Sequence, residues 1–95
     1  MEFEWDPEKA ARSVEKHGIA FEDAIVVFSR PRFTERSDRF GERRWQTIGQ
    51  LGDRLITVVY TRRDDAIRVI SARRARSDEQ RQYYKNVTGG GGSSL

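Results

Sequence analysis

The run LITVVYT, residues 55–61, constrains the fold more than any other stretch of this chain. Its β-branched and aromatic side chains leave both alternating faces largely apolar, as in a strand buried on both sides of a sheet. Gly52-Asp53 precedes it and residues 62–65 follow it, and both short segments read as turns. Strands joined by turns this short run antiparallel. The upstream neighbour is residues 43–51, which contain RWQTIGQ, and the downstream neighbour is residues 66–73. Strict alternation in the latter puts Ile67, Val69, Ser71 and Arg73 on one face, with Arg68, Ile70 and Ala72 on the other. Residues 32–37 supply a further strand, followed by the loop SDRFGE. The expectation is an antiparallel β-meander.

Helical signals flank the meander. Phe3, Glu4 and Trp5 make a very short strand; Asp6 then reads as an N-cap and Pro7 as the first helical residue. Trp5 and Ala10 are spaced as a hydrophobic staple, the helix runs to about His17, and Gly18 supplies the left-handed residue that ends it. Phe21, Ala24, Ile25 and Phe28 form an apolar stripe at helical spacing, closed by Pro31. Beyond the meander, Ser77-x-x-Gln80 has the pattern of a capping box, and Asp78 and Glu79 suit the positive end of a helix dipole. Gln80, Tyr83, Tyr84 and Val87 share one face of that last helix. The expected fold class is α+β, with two N-terminal helices and one C-terminal helix. The helices cover one face of a twisted sheet and leave the other at least partly open. Residues 1–88 make one domain, and the Gly/Ser tail, residues 89–95, reads as a linker or cloning scar.

Charge divides the chain. Residues 1–28 hold seven acids against three bases, whereas residues 29–95 hold fifteen bases, fourteen of them arginine, against eight acids. Arginine presents a planar fork suited to phosphate, so the basic body points to a nucleic-acid surface. The competing reading is soluble surface arginine that keeps sheet edges from aggregating. With no cysteine and one histidine, neither a disulfide framework nor a stable metal site is expected, and no cofactor. No apolar run approaches the length of a membrane span, and MEFEWDPEK has none of the basic and apolar regions of a signal peptide. A cytoplasmic protein is the expectation.

The densest cation cluster is Arg73, Arg74 and Arg76, where a strand hands over to a helix; Arg62, Arg63, Arg43 and Arg44 lie at other strand ends. A groove across the sheet accommodates them more readily than a single pocket. His17 is either a general acid or base near neutral pH or a capping residue at its helix end. Glu42 is either a carboxylate base beside cations or plain surface. Trp45, Tyr60 and Phe40 either stack nucleobases or pack.

Four blocks taken together carry a family resemblance: FEWDPEKA, KHGIAFEDAIVVF, DRFGERRW and RVISARRARSDEQRQYY. They resemble the BrnT family of bacterial toxins over about residues 2–84. The resemblance rests on W-D-P, on K-H-G followed by F-E-x-A-x-x-V-F, and on I-S-A-R-x-A with a later Glu and Tyr. It implies a RelE-like ribonuclease toxin of a type II toxin–antitoxin pair. The implied partner is a BrnA-like ribbon–helix–helix antitoxin in a heterotetramer that represses its own operon, with DNA reached only through the antitoxin. Among the residues that match the family pattern are His17, Glu42, Arg43, Arg73, Glu79 and Tyr83. Ser13 departs from it, standing where the family usually has Asn, and Ser29-Arg30 stand where an acid is usual.

The combined reading is metal-independent RNA cleavage by attack of the 2′-OH on the adjacent phosphodiester. Arg73 and Arg43 hold the phosphate, His17 or Glu42 serves as base or acid, and Tyr83 packs or donates near the site. Arg62, Arg44, Arg74, Arg76 and Trp45 line the RNA path. The alternative is a non-catalytic basic module that binds nucleic acid or a partner, or a degenerate toxin active only in operon repression.

Overall fold

The computed structural model describes residues 1–89, so the expected tail lies outside the described residues from position 90 onward. Strand β1 (Glu2–Trp5) leads into helix α1 (Pro7–His17), which begins and ends as its chemistry dictates. The Asp6 carboxylate accepts from the Glu8 amide at 2.9 Å, and Gly18 closes the helix with φ 68°. The second helix does not run evenly over residues 21–28. Helix α2 (Phe21–Ala24) tightens into a 3-10 turn over Ile25–Ser29, where a run of β-branched residues disfavours the α form.

Strands β2 (Arg32–Arg36), β3 (Trp45–Leu51), β4 (Arg54–Arg63) and β5 (Ala66–Arg74) follow, then helix α3 (Ser77–Tyr83) and a wider π turn over Tyr84–Gly89. The sheet order is β1-β5-β4-β3-β2. LITVVYT lies in β4, the central strand, and β2 through β5 form the expected meander. The short N-terminal strand joins it parallel to β5, with Trp5 opposite Val69, which makes the sheet mixed.

Two expectations fail, and both failures shape the surface. Helices cover both faces of the sheet, because α3 packs on the face opposite α1 and α2. Under α1 and α2 lies the main core, which includes Phe21, Val27, Ile56, Val58, Tyr60 and Val69. Under α3 lies a smaller cluster of Ile48, Leu55, Ala75 and Tyr83. The strict alternation of β5 also breaks. Val59 pairs with Ser71 but Tyr60 pairs with Val69, leaving Ile70 as the extra residue of a bulge. Beyond the bulge the faces exchange. Ala72 joins Ile67 and Val69 in the main core, and Ser71 and Arg73 turn to the α3 side.

Candidate functional site

The three arginines of the strand-to-helix junction separate. Arg73 and Arg76 border a groove on the α3 face, whereas Arg74 lies by a larger hollow with Glu22, Asp23 and Asp53. The groove encloses about 250 Å³. Val59, Ile70, Ser71 and Gln46 come to it from the three inner strands, and Ser37, Arg39 and Arg44 from the β2–β3 connection. Four arginines thus line one hollow: Arg39, Arg44, Arg73 and Arg76. Among the described residues, Arg39 and Arg76 have no carboxylate within ion-pair distance, while Arg44 is tied to Glu42 at 2.8 Å.

Arg73 is anchored from below. Its two terminal nitrogens donate to the two oxygens of Glu79, each at 2.8 Å. Glu79 is 4% exposed and sits at the start of α3. Its carboxylate also accepts from the Thr57 hydroxyl at 2.9 Å and the Arg76 amide at 2.8 Å. Burial opposes the charge of this group, yet the Arg73 fork, the Arg76 amide and the Thr57 hydroxyl outweigh it and lower the carboxyl pKa to about 2. Hydrogen bonding to Glu79 in turn raises the pKa of Arg73. The cap of α3 therefore lies one residue earlier than Ser77-x-x-Gln80 suggests. Arg76 is the N-cap residue, Glu79 reaches back to its amide, and the Gln80 side chain donates to Ala75 O at 3.0 Å instead.

The other candidates lie elsewhere. Glu42 is exposed at the tip of the β2–β3 connection, beside the groove through its bond to Arg44. Arg43 is exposed and does not line the groove; its carbonyl accepts from the Thr61 hydroxyl. His17 borders a separate hollow of about 280 Å³ with Lys9, Arg12 and Lys16. That hollow and the groove share Ile70 and Ser71, so the bulge forms the wall between them. Ser13 braces this wall. Its buried hydroxyl lies 2.7 Å from Ile19 O and 3.3 Å from Ala72 O, joining the turn after α1 to β5. Trp45 and Arg62 belong to the opposite face, where Trp45 stacks on Tyr60 and carries the Arg36 and Arg62 guanidiniums, each 5.5 Å from its ring centre. Tyr83 is 5% exposed in the smaller core.

Two parts of this arrangement, Arg39 in the groove and Glu79 beneath it, were not among the site residues expected from the sequence. Arg39 lies in a stretch that reads only as loop, and no periodicity marks it. Glu79 did carry a signal, since an acid in the first turn of a helix just after an arginine cluster is placed to neutralise it.

A family model described as the ribonuclease toxin BrnT of a type II toxin–antitoxin system matches residues 5–79. The chain belongs to the BrnT family. The matched span contains every groove residue and Glu79. A crystal structure of the Brucella abortus ribonuclease toxin BrnT is similar to the chain, with 27% identity and a TM-score of 0.61. The match covers 81% of this chain and 99% of that one. Among curated proteins none matches. Membership of the BrnT family makes the chain a relative of ribonuclease toxins and implies an antitoxin partner. Among the described residues no helix is long and apolar enough to cross a membrane.

Proposed function

We propose that the chain is a metal-independent endoribonuclease toxin whose groove of Arg39, Arg44, Arg73 and Arg76 binds the scissile phosphodiester. The observation that carries this reading is that those four arginines line one hollow. The ribose 2′-oxygen attacks phosphorus and loses its proton to a base, and the bond to the 5′-oxygen breaks as that oxygen gains a proton. The products end in a 2′,3′-cyclic phosphate and a 5′-hydroxyl. Arginine stays protonated and cannot be the base. Its part is to stabilise the charge that builds on the phosphorane oxygens, where one well-placed donor contributes about 10²–10³ in rate. Arg73 suits this role because Glu79 fixes its fork before substrate arrives, so little rotamer freedom is lost on binding.

Glu79 itself is no base at neutral pH, since its pKa is about 2 and its oxygens are already engaged. Glu42, beside the groove through its bond to Arg44, is the better-placed candidate for proton transfer, since Ile70 and Ser71 stand between His17 and the groove. Glu42→Gln should lower cleavage more than His17→Ala does. Among the described residues no group of three or more His, Cys, Asp or Glu side chains is arranged to hold a metal. The partner we propose is a BrnA-like ribbon–helix–helix antitoxin, in a heterotetramer, that lays an acidic segment over the groove. A RelE-like scaffold is consistent with the sheet and its flanking helices.

Digestion of RNA by the purified chain in EDTA tests the proposal. Cleavage with cyclic-phosphate ends is expected, abolished by a stoichiometric antitoxin. Full activity in that complex would contradict occlusion. Absence of cleavage together with retained RNA binding would favour the non-catalytic module.

A further inference from the structure

The connection between β2 and β3 ends in a tight four-residue tip. The Arg39 amide donates to Glu42 O at 3.0 Å and the Glu42 amide to Arg39 O at 2.8 Å, so Phe40 and Gly41 occupy the two corner positions. Both have positive φ, 51° at Phe40 and 74° at Gly41. A two-residue turn of this sign pattern favours Asn-Gly or Asp-Gly, because the left-handed region is unfavourable for a side chain as bulky as phenylalanine. Local preference therefore does not explain Phe40, and neither does packing, since the residue is 92% exposed.

The tip is braced on both sides. Asp38 accepts two bonds from the Arg36 guanidinium, at 2.9 and 2.7 Å, and one from the Arg44 amide at 3.2 Å. The Arg39 guanidinium lies 5.9 Å from the Phe40 ring centre, and Arg39 also lines the groove. A solvent-facing ring thus stands near a basic hollow of about 250 Å³, linked to it by a shared arginine.

Resting on the ribonuclease reading above, we infer that Phe40 is a base-stacking residue. It receives the nucleobase of a nucleotide adjoining the phosphate in the groove, with the Arg39 guanidinium beside the same ring. Single-stranded nucleic acids are held in this way, by cations along the backbone and aromatic faces under the bases. Stacking of this kind tolerates any base, so Phe40 sets affinity and register while leaving base identity open.

The test measures binding of a short single-stranded 2′-O-methyl RNA, which lacks the attacking hydroxyl and so reports binding alone. Phe40→Asn suits the turn better than phenylalanine and removes the ring without unfolding the tip. It is expected to weaken binding about tenfold, with an unchanged salt dependence because no phosphate contact is lost. Phe40→Trp restores the affinity. Moving one abasic nucleotide along the oligonucleotide should reveal a position at which wild type and Phe40→Asn bind equally, a coupling that a purely structural residue would not show. Arg76→Ala separates the two readings. If it weakens binding while Phe40→Asn does not, the stacking role is overturned and the groove stands. If neither variant weakens binding, both fall. Loss of antitoxin affinity in Phe40→Asn with RNA binding intact would assign the ring to a protein contact and likewise overturn the inference.

Discussion

The two faces of the sheet solve opposite problems with the same strands. Under α1 and α2, Phe21, Ile56, Val58 and Tyr60 belong to the larger apolar core. On the α3 side Ile48, Leu55, Ala75 and Tyr83 form a smaller apolar patch with Phe33 and Val87 packed against it, and beside it stand Thr57, Gln46, Glu79 and Arg73 in one hydrogen-bonded set. The first face obtains its stability from buried area. The second gives up apolar burial to hold charges in fixed positions, and the bulge at Ile70 sends Ser71 and Arg73 to it. Precision on the polar face therefore rests on the sealed one.

The largest expected effect falls on the polar face. Arg73→Ala leaves Glu79 buried without its counter-ion and should destabilise the protein by about 3–5 kcal/mol in urea unfolding. Adding Glu79→Gln should recover part of that loss, because the uncompensated charge is then gone. A cost below about 1 kcal/mol for Arg73→Ala would place the pair among surface ion pairs and erase the contrast between the faces.

Acid should reveal the same anchor. Glu79 has a folded pKa of about 2 against an ordinary 4.5, so it stabilises the fold above pH 4.5 and loses that contribution as the pH falls towards 2. The shift corresponds to roughly 3 kcal/mol. Stability measured against pH should fall across this window in the wild type and much less in Glu79→Gln.

The sealed face gives a smaller effect of another kind. A Cβ on Gly49 would lie 2.8 Å from Val27 Cβ, so Gly49→Ala should cost about 1–3 kcal/mol by overpacking, independent of pH and salt. A salt-dependent loss there would mean that the two faces are not energetically distinct.

Much of this architecture was legible in the residues. Asp6, Pro7 and Gly18 define α1 because capping is a local matter, and LITVVYT identifies the central strand because burial on both faces leaves a compositional mark. What could not be read depends on long-range pairing. Nothing local distinguishes the bulge from regular alternation, so Arg73 was expected beside Ile67 and Val69 and lies on the other face. The same limit hid the groove: Trp45 and Arg62 sit among arginines in the sequence but on the other face of the sheet in space, and Arg39 is brought to the groove only by the fold. Family resemblance marked Arg73 and Glu79, and their pairing became visible only with α3 packed on the sheet.

Under the proposed function, position on the α3 face, and not total positive charge, determines RNA handling. Two double variants of equal charge test it most directly: Arg39→Ala/Arg76→Ala in the groove and Arg62→Ala/Arg74→Ala outside it. RNA cleavage by the groove pair should fall by about 10²-fold or more, while the outer pair stays within about twofold of wild type. Equal losses in both variants would show that the chain meets RNA through diffuse charge, and the groove would have no special part in the reaction.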